Sequence, residues 1–439
     1  MGKRMVNPTI RHFITKLLLI MFLFLPYSKI HATSNDIITK TLSGILNWQK
    51  MNYNLSSNDS LLASEFTDAS GSSNADWFVF GMARSGVADY YHVYQNALSD
   101  GLITRYANRT ELANEKPTEW HRLCLTILAL GGDPTSITCS DTKQSINLIK
   151  DGVYDRSDLM SLKSQGLNSY IWALITIDSI RYPIPKESNC SRESLIQSIL
   201  SYQLKDGGFS LSSTGCDVDI TAMAIQALSP YYNLEQSFSY IRKCDGKKID
   251  ETIRSVIDRS LHILSQSQGK DGDFMSYGES NVESTSQVLV ALCSLGIDYK
   301  TDSRFIKKGH TILDGILKYK QKDGGFAHCI QRDKHSDVMA SGQVFYSLSA
   351  LLRYKDHLRN LYDLRPSMDA KTTNRIASLT KKIQAITIHS KKDFISILYD
   401  EYCKIEPSER CYVHNYFQLS DAMKRNDLPI SHPTLLSDF

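Results

Sequence analysis

Three things are missing from this chain, and each absence closes a class of function. It has no Cys-x-x-Cys pair among its nine cysteines, so a zinc-ribbon reading fails. It has no basic stripe. Of 50 basic and 47 acidic residues, five basics and no acids fall in residues 1–32, leaving 45 against 47 in the remainder. A region that close to neutral has nothing to track a phosphate backbone, and nucleic acid is excluded as a partner. Long apolar runs are also lacking. Leu17–Leu25 is unbroken but ends at Pro26, far short of the ~20 residues a membrane helix needs.

That short run follows Lys3, Arg4, Arg11 and Lys16 and precedes Ala32, which is the pattern of a secretory signal cut near Ala32. An uncleaved anchor is the alternative. The expectation is a secreted or cell-surface protein. Export permits disulfides. Cys403 and Cys411 flank a short polar loop and are the best-placed local pair, whereas Cys124 and Cys293 sit in apolar helical stretches and read as core. The odd count leaves at least one thiol free or paired between chains.

What is present is a repeated turn. Asp206-Gly207-Gly208-Phe209 is echoed by Asp271-Gly272-Asp273-Phe274 and Asp323-Gly324-Gly325-Phe326, with degenerate copies at Asp100-Gly101 and Asp151-Gly152. The stretch before a turn is amphipathic. In Ile249–Gln268, Ile249, Ile253, Val256, Ile257, Leu261 and Leu264 share one face. The stretch after a turn is apolar nearly all round, as in Leu123–Leu130 and Asp219–Leu228, and must be enclosed by protein. Six such inner stretches begin near Asp76, Glu119, Asn168, Asp219, Glu283 and Asp337. Several end at a glycine suited to a helix C-cap, as at Gly86, Gly131 and Gly296. The pattern predicts an all-α fold, an α/α toroid of six helical hairpins over residues 33–356. An open solenoid of helix pairs is the rival. Residues 357–439 read as a small helical module or cap.

These motifs resemble the terpenoid cyclase and protein prenyltransferase superfamily, whose prenyltransferase and squalene-cyclase-type repeats read Gln, a spacer, then Asp-Gly-Gly-aromatic. Gln203-Leu204-Lys205-Asp206-Gly207-Gly208-Phe209 and Gln268-Gly269-Lys270-Asp271-Gly272-Asp273-Phe274 follow it, while in the last copy Lys320 takes the Gln position. The resemblance covers roughly 35–355 and implies the toroid. It leaves activity open, because the superfamily also holds secreted corrinoid carriers. Asp217-Val218-Asp219-Ile220-Thr221-Ala222 is similar to the Asp-x-Asp-Asp-Thr-Ala of class II cyclases, which implies Asp219 as general acid with Asp217 beside it; Ile220 departs from the pattern. The prenyltransferase zinc triplet Asp-x-Cys has no thiolate here, at Asp217-Val218-Asp219 or at Asp337-Val338-Met339, and no metal or cofactor is implied. His328, His335 and Asp337 are a second donor set, more simply read as surface residues. Arg375-Ile376, Lys382–Thr387 and Cys411–Tyr416 resemble a helical module of Gram-positive surface proteins, which implies a spacer or display role and cell-wall association.

Function is therefore sought where the inner helices begin. In a ring, Asp76, Glu119, Asn168, Asp219, Glu283 and Asp337 would gather at one mouth. Helix capping alone accounts for acids there; a convergent binding rim and acid catalysis are the other readings. Trp77, Phe78, Phe80, Trp120, Tyr170, Trp172, Phe345 and Tyr346 lie on inner helices, as core filler or as the wall of a ligand site. The leading expectation is a toroid that binds an apolar or amphipathic small molecule, corrinoid-like or isoprenoid-like, or a polymer. The residues expected to bind are Asp76, Trp77, Glu119, Trp120, Tyr170, Trp172, Glu283, Asp337 and Tyr346. A cyclase-like enzyme using Asp219 and Asp217, and a purely structural surface protein, are the alternatives. The cavity discriminates: an apolar pocket reaching Asp219 favours the enzyme, a polar mouth favours binding, and a plugged centre favours structure.

Overall fold

A computed structural model describes residues 37–108, 112–138, 145–212, 215–276 and 278–439. The expected signal segment and Cys139 lie outside them. Thr41–Phe439 form one compact unit, and Ile37–Lys40 are the first turn of a helix that continues into it.

Six inner helices form the centre: α2 (Ser73–Ser85), α4 (Pro117–Ala129), α5 (Leu167–Asp178), α7 (Val218–Leu228), α9 (Val282–Ser294) and α11 (Val338–Lys355). Each packs on the next, and α11 returns to α2. The layer is a closed ring, which decides against the open solenoid. At the closing seam Gly81 of α2 lies against α11. A Cβ there would come within 3.0 Å of Phe345 and 3.2 Å of the Tyr346 backbone, so the missing side chain sets the approach of the two helices. Ser349 donates to the Gly81 carbonyl at 3.1 Å across the same seam.

The outer layer comprises α1 (Ile37–Met51), α3 (Tyr91–Ala107), a single helical turn at Lys150–Tyr154, α6 (Arg192–Leu200), α8 (Ile253–Ser267) and α10 (Ile312–Leu317). Amphipathic spacing makes α8: Ile253, Val256, Ile257, Leu261 and Leu264 are buried at helical intervals. The helix expected from Ile249 starts later. Lys248–Thr252 instead pairs with Ser237–Ile241, a strand of alternating burial, as an antiparallel hairpin, and Thr252 caps the helix. Asp100-Gly101 is also corrected, because it lies inside α3 and makes no turn.

The repeated turn links the outer helix of a hairpin to its inner helix and braces the hairpin on the next one. Phe209, Phe274 and Phe326 are buried, and their N–H groups donate to Thr221, Thr285 and Ser341 on the inner helix that follows, at 2.8, 3.0 and 2.9 Å. The Gln203 amide donates to Gly207 O and Val256 O, and that of Gln268 to Gly272 O and Phe305 O. Each turn thereby leans on the outer helix of the next repeat. Gly272 has φ +88, and a Cβ on it would lie 2.1 Å from Thr311 O at the start of α10. Gly324 meets Gly44 of α1 in the same way, so the outer layer closes at the point where the inner ring does.

After α11 the segment 357–366 crosses the carboxy-terminal ends of the inner helices. Arg84 at the end of α2 donates to Leu361 O, Asn360 O and Asp363 O. Asn360 donates to Ser294 O at the end of α9, and Leu364 N–H to Ser179 O beyond α5. The Tyr362 ring enters the ring of helices and packs on Phe80 and Trp172, 5.7 and 5.6 Å between centroids. Helices α12 (Ala370–Gln384), α13 (Lys392–Cys403) and α14 (Tyr416–Arg425) then build a small core of their own around Leu379, Leu398, Tyr402 and Leu419. Asn233, donating to Arg410 O and Val413 O, and Glu235, accepting from Ser420 and Lys424, tie these helices to the toroid.

Candidate functional site

One end of the ring is thus stoppered, and the amino-terminal ends of the inner helices face a cavity of about 290 Å³. Helical position decides what lines it. Side chains cap the helix ends: Ser72 for α2, Asp217 for α7, Asn281 for α9 and Asp337 for α11. The second helical residue then points inward, giving Asn74, Asn168, Asp219, Glu283 and Met339 around the rim. A turn deeper come Trp77, Trp172, Met223, Gln287, Gln343 and Tyr346. Trp77 and Trp172 meet at 5.0 Å between centroids, and Trp77 and Tyr346 at 6.0 Å. Both tryptophans rest on Tyr362 of the stopper.

Five of the eleven expected site residues therefore come together: Asp219, Glu283, Trp77, Trp172 and Tyr346. Asp337 caps α11 at the rim, with its carboxylate turned to Ala340 N–H at 2.8 Å. Asp217 accepts from Asp219 N–H and Ile220 N–H at 2.9 and 3.2 Å, so it is a cap beneath the site. Asp76 and Glu119 lie elsewhere. Asp76 is wholly enclosed between α2, α3 and α4, where Arg122, Tyr94 and Gly71 N–H all donate to it. Arg122 also holds Glu119 at 2.8 Å. Trp120 is buried outside the cavity, donating to Tyr106 under the Arg156 guanidinium. Tyr170 faces Tyr202 at 6.4 Å. An acid or an aromatic at an inner-helix start is thus no guarantee of the cavity; the angular position on the helix sorts them. Counting from the cap would have found Asn74, Gln287 and Gln343, which composition does not mark.

The two cavity carboxylates are incompletely satisfied. Glu283 is 6% exposed; its Oε2 meets His328 Nδ1 at 2.8 Å, while Oε1 is buried without a hydrogen-bond partner. Oδ1 of Asp219 is also buried without one. Burial pushes the Asp219 carboxyl up to about 6; Ser284, close by but short of hydrogen-bond geometry, opposes this, and Asp217 and Glu283 add to it. The Glu283 carboxyl is likewise raised, by burial first. Among the described residues no lysine or arginine lines the cavity. Among the described residues no three His, Cys, Asp or Glu side chains converge in metal-binding geometry. The eight described cysteines, Cys403 and Cys411 included, are unpaired. No helix of the described residues is long and apolar enough to cross a membrane.

A family model described as the prenyltransferase alpha-alpha toroid domain matches residues 141–367. The match takes in the last four hairpins and the stopper, and the first two hairpins complete the same ring. A search of curated proteins returned no match.

Proposed function

The chain belongs to the prenyltransferase alpha-alpha toroid family, and on that premise we propose that it is an exported binding protein that takes an amphipathic small molecule into the blind cavity of the ring. The observation carrying this reading is the asymmetry of the two ends: a stopper at one, and at the other a mouth combining a polar rim with an aromatic floor. A cavity of about 290 Å³ is at the small end of ligand sites, which span ~300–1,000 Å³. That size favours a compact ligand over a corrinoid macrocycle, a folded polyprenyl chain or a polymer. Export rests on the signal pattern of residues 1–32, and display at the cell wall on the likeness of 375–423 to surface modules.

Native mass spectrometry of protein isolated from its own host tests this reading, with Trp77 and Trp172 emission as the second readout. A co-purifying small molecule that changes the emission, and is lost in Trp172→Leu, is expected. A protein that carries nothing, and whose emission no amphipathic compound alters, contradicts it.

Asp219 supports a second reading. A largely buried, readily protonated carboxyl beside aromatic rings is the equipment of an alkene-protonating acid. Against it, Asp217 is committed to its cap and Ile220 stands where that chemistry has an acid. Cyclised product from a polyprenyl substrate, abolished in Asp219→Asn, would favour it; unchanged turnover in that variant removes Asp219 from the mechanism.

A further inference from the structure

We propose that the cavity is built for an alkylammonium ion, its N–H groups bound by Asp219 and Glu283 and its chain laid against Trp77, Trp172 and Met223. This rests on the binding reading above and specifies the ligand's charge.

Two buried carboxylate oxygens at the mouth lack a hydrogen-bond partner. Glu283 is nine-tenths buried, and its free Oε1 belongs to a side chain lining the cavity; Asp219 is partly exposed, but it lines the same cavity and its Oδ1 is likewise buried and unpartnered. A buried carboxylate oxygen needs a hydrogen-bond donor, and leaving it unmet is costly. Elsewhere this chain meets that need with arginine: Asp76 has Arg122, Asp178 has Arg192, and Glu409 has Arg359 and Arg365. Among the described residues the cavity offers neither lysine nor arginine, and His328 already contacts the other oxygen of Glu283. Ser284, close to Asp219 and itself unpartnered, is a neutral hydroxyl, so the missing cationic donors are ones a ligand would bring.

The donor set then decides which cation. A hard metal ion wants six or more oxygen ligands, or a compact His, Cys and carboxylate set, and no such cluster is present among the described residues. Two carboxylate oxygens beside a wall of indole and phenol rings suit a larger, weakly hydrated cation. An ammonium group can donate to both oxygens while the ring faces attract its charge. Trp77 and Trp172 are each partly exposed, and Met223 adds a pliable apolar surface for the chain. The amides of Asn74 and Asn168 stand at the rim.

Binding is expected to depend on pH. The groups facing Asp219 are Asp217 on its own helix, Glu283 on α9, His328 on the turn before α11 and Tyr346 on α11. Acidification neutralises the two carboxylates, whose burial already favours the protonated form, and so weakens a bound cation.

The test is calorimetric titration of the full chain with hexylamine, and with hexanol as the uncharged molecule of the same length. At pH 7.5 the amine is expected to bind at least tenfold more tightly than the alcohol. Asp219→Asn and Glu283→Gln should each cut amine affinity tenfold or more and hexanol affinity far less, while Trp77 and Trp172 emission reports that the cavity is intact. The amine's advantage should disappear by pH 5. Equal binding of amine and alcohol would overturn the ammonium assignment while the cavity reading stands. Amine binding untouched by both substitutions would place the cation elsewhere and overturn it too. Failure of both compounds to bind would remove the assignment and the cavity reading together.

Discussion

The two ends of the ring handle buried charge in opposite ways. At the stoppered end Asp363 is mostly buried, yet Arg365, Arg359 and the Tyr412 hydroxyl outweigh that burial and hold its carboxyl below the usual range. At the open end Asp219 is comparably buried without such partners, and burial carries it up to about 6. Burial is similar and the outcome reverses, so partners decide the charge. At the sealed end the carboxylates of Asp363 and Glu409 are met from within the protein. A binding mouth leaves some to be met by its ligand, at a cost in stability.

Four substitutions sharpen or break this comparison. Glu409→Ala should have the largest effect. It strips two guanidinium groups, Arg359 and Arg365, of a buried partner, and urea unfolding at pH 7 should show a loss of about 3–5 kcal/mol. Asp219→Asn should act in the other direction. Its folded pKa of about 6 lies above the ordinary 3.8, so between those values the folded state binds more protons and stability falls as pH rises. The amide escapes this, giving a gain of about 1–2 kcal/mol above pH 6 after allowance for solvent, and none below pH 3.8. Thermal melts across that range would read it. Asp337→Ala removes a helix cap at the mouth; a loss of about 1 kcal/mol is expected by the same melts. Tyr362→Phe should matter least. Its buried hydroxyl already lacks a partner, so removing it should give a gain of about 0.5 kcal/mol in urea.

Much of the ring was legible in the sequence. The Asp-Gly-x-Phe turns marked the hairpins because a glycine with positive φ, jammed against the next outer helix, has no substitute. Inner helices declared themselves by being apolar on every face. The stopper was not legible: Tyr362 acts through its ring on Phe80 and Trp172, and Asp363 through its carbonyl and carboxylate on Arg84 and Tyr412, all far away in the chain, and neither leaves a periodic trace. The site was half legible. Acids at inner-helix starts drew attention to Asp219 and Glu283, but the same signal drew in Asp76, which an arginine from the neighbouring helix has taken. Whether a carboxylate is bound or free depends on a partner residue 46 positions away, and helical spacing does not report that.

The most direct measurement is the titration of individual aspartate carboxyl carbons by NMR in aspartate-labelled protein, with Asp219→Asn and Asp363→Asn supplying the assignments. The account predicts that Asp219 titrates at about 6 and Asp363 below 3.8. An Asp219 carboxyl titrating at or below 3.8 would mean that the mouth satisfies its own charge, and would contradict the claim that its carboxylates await a ligand.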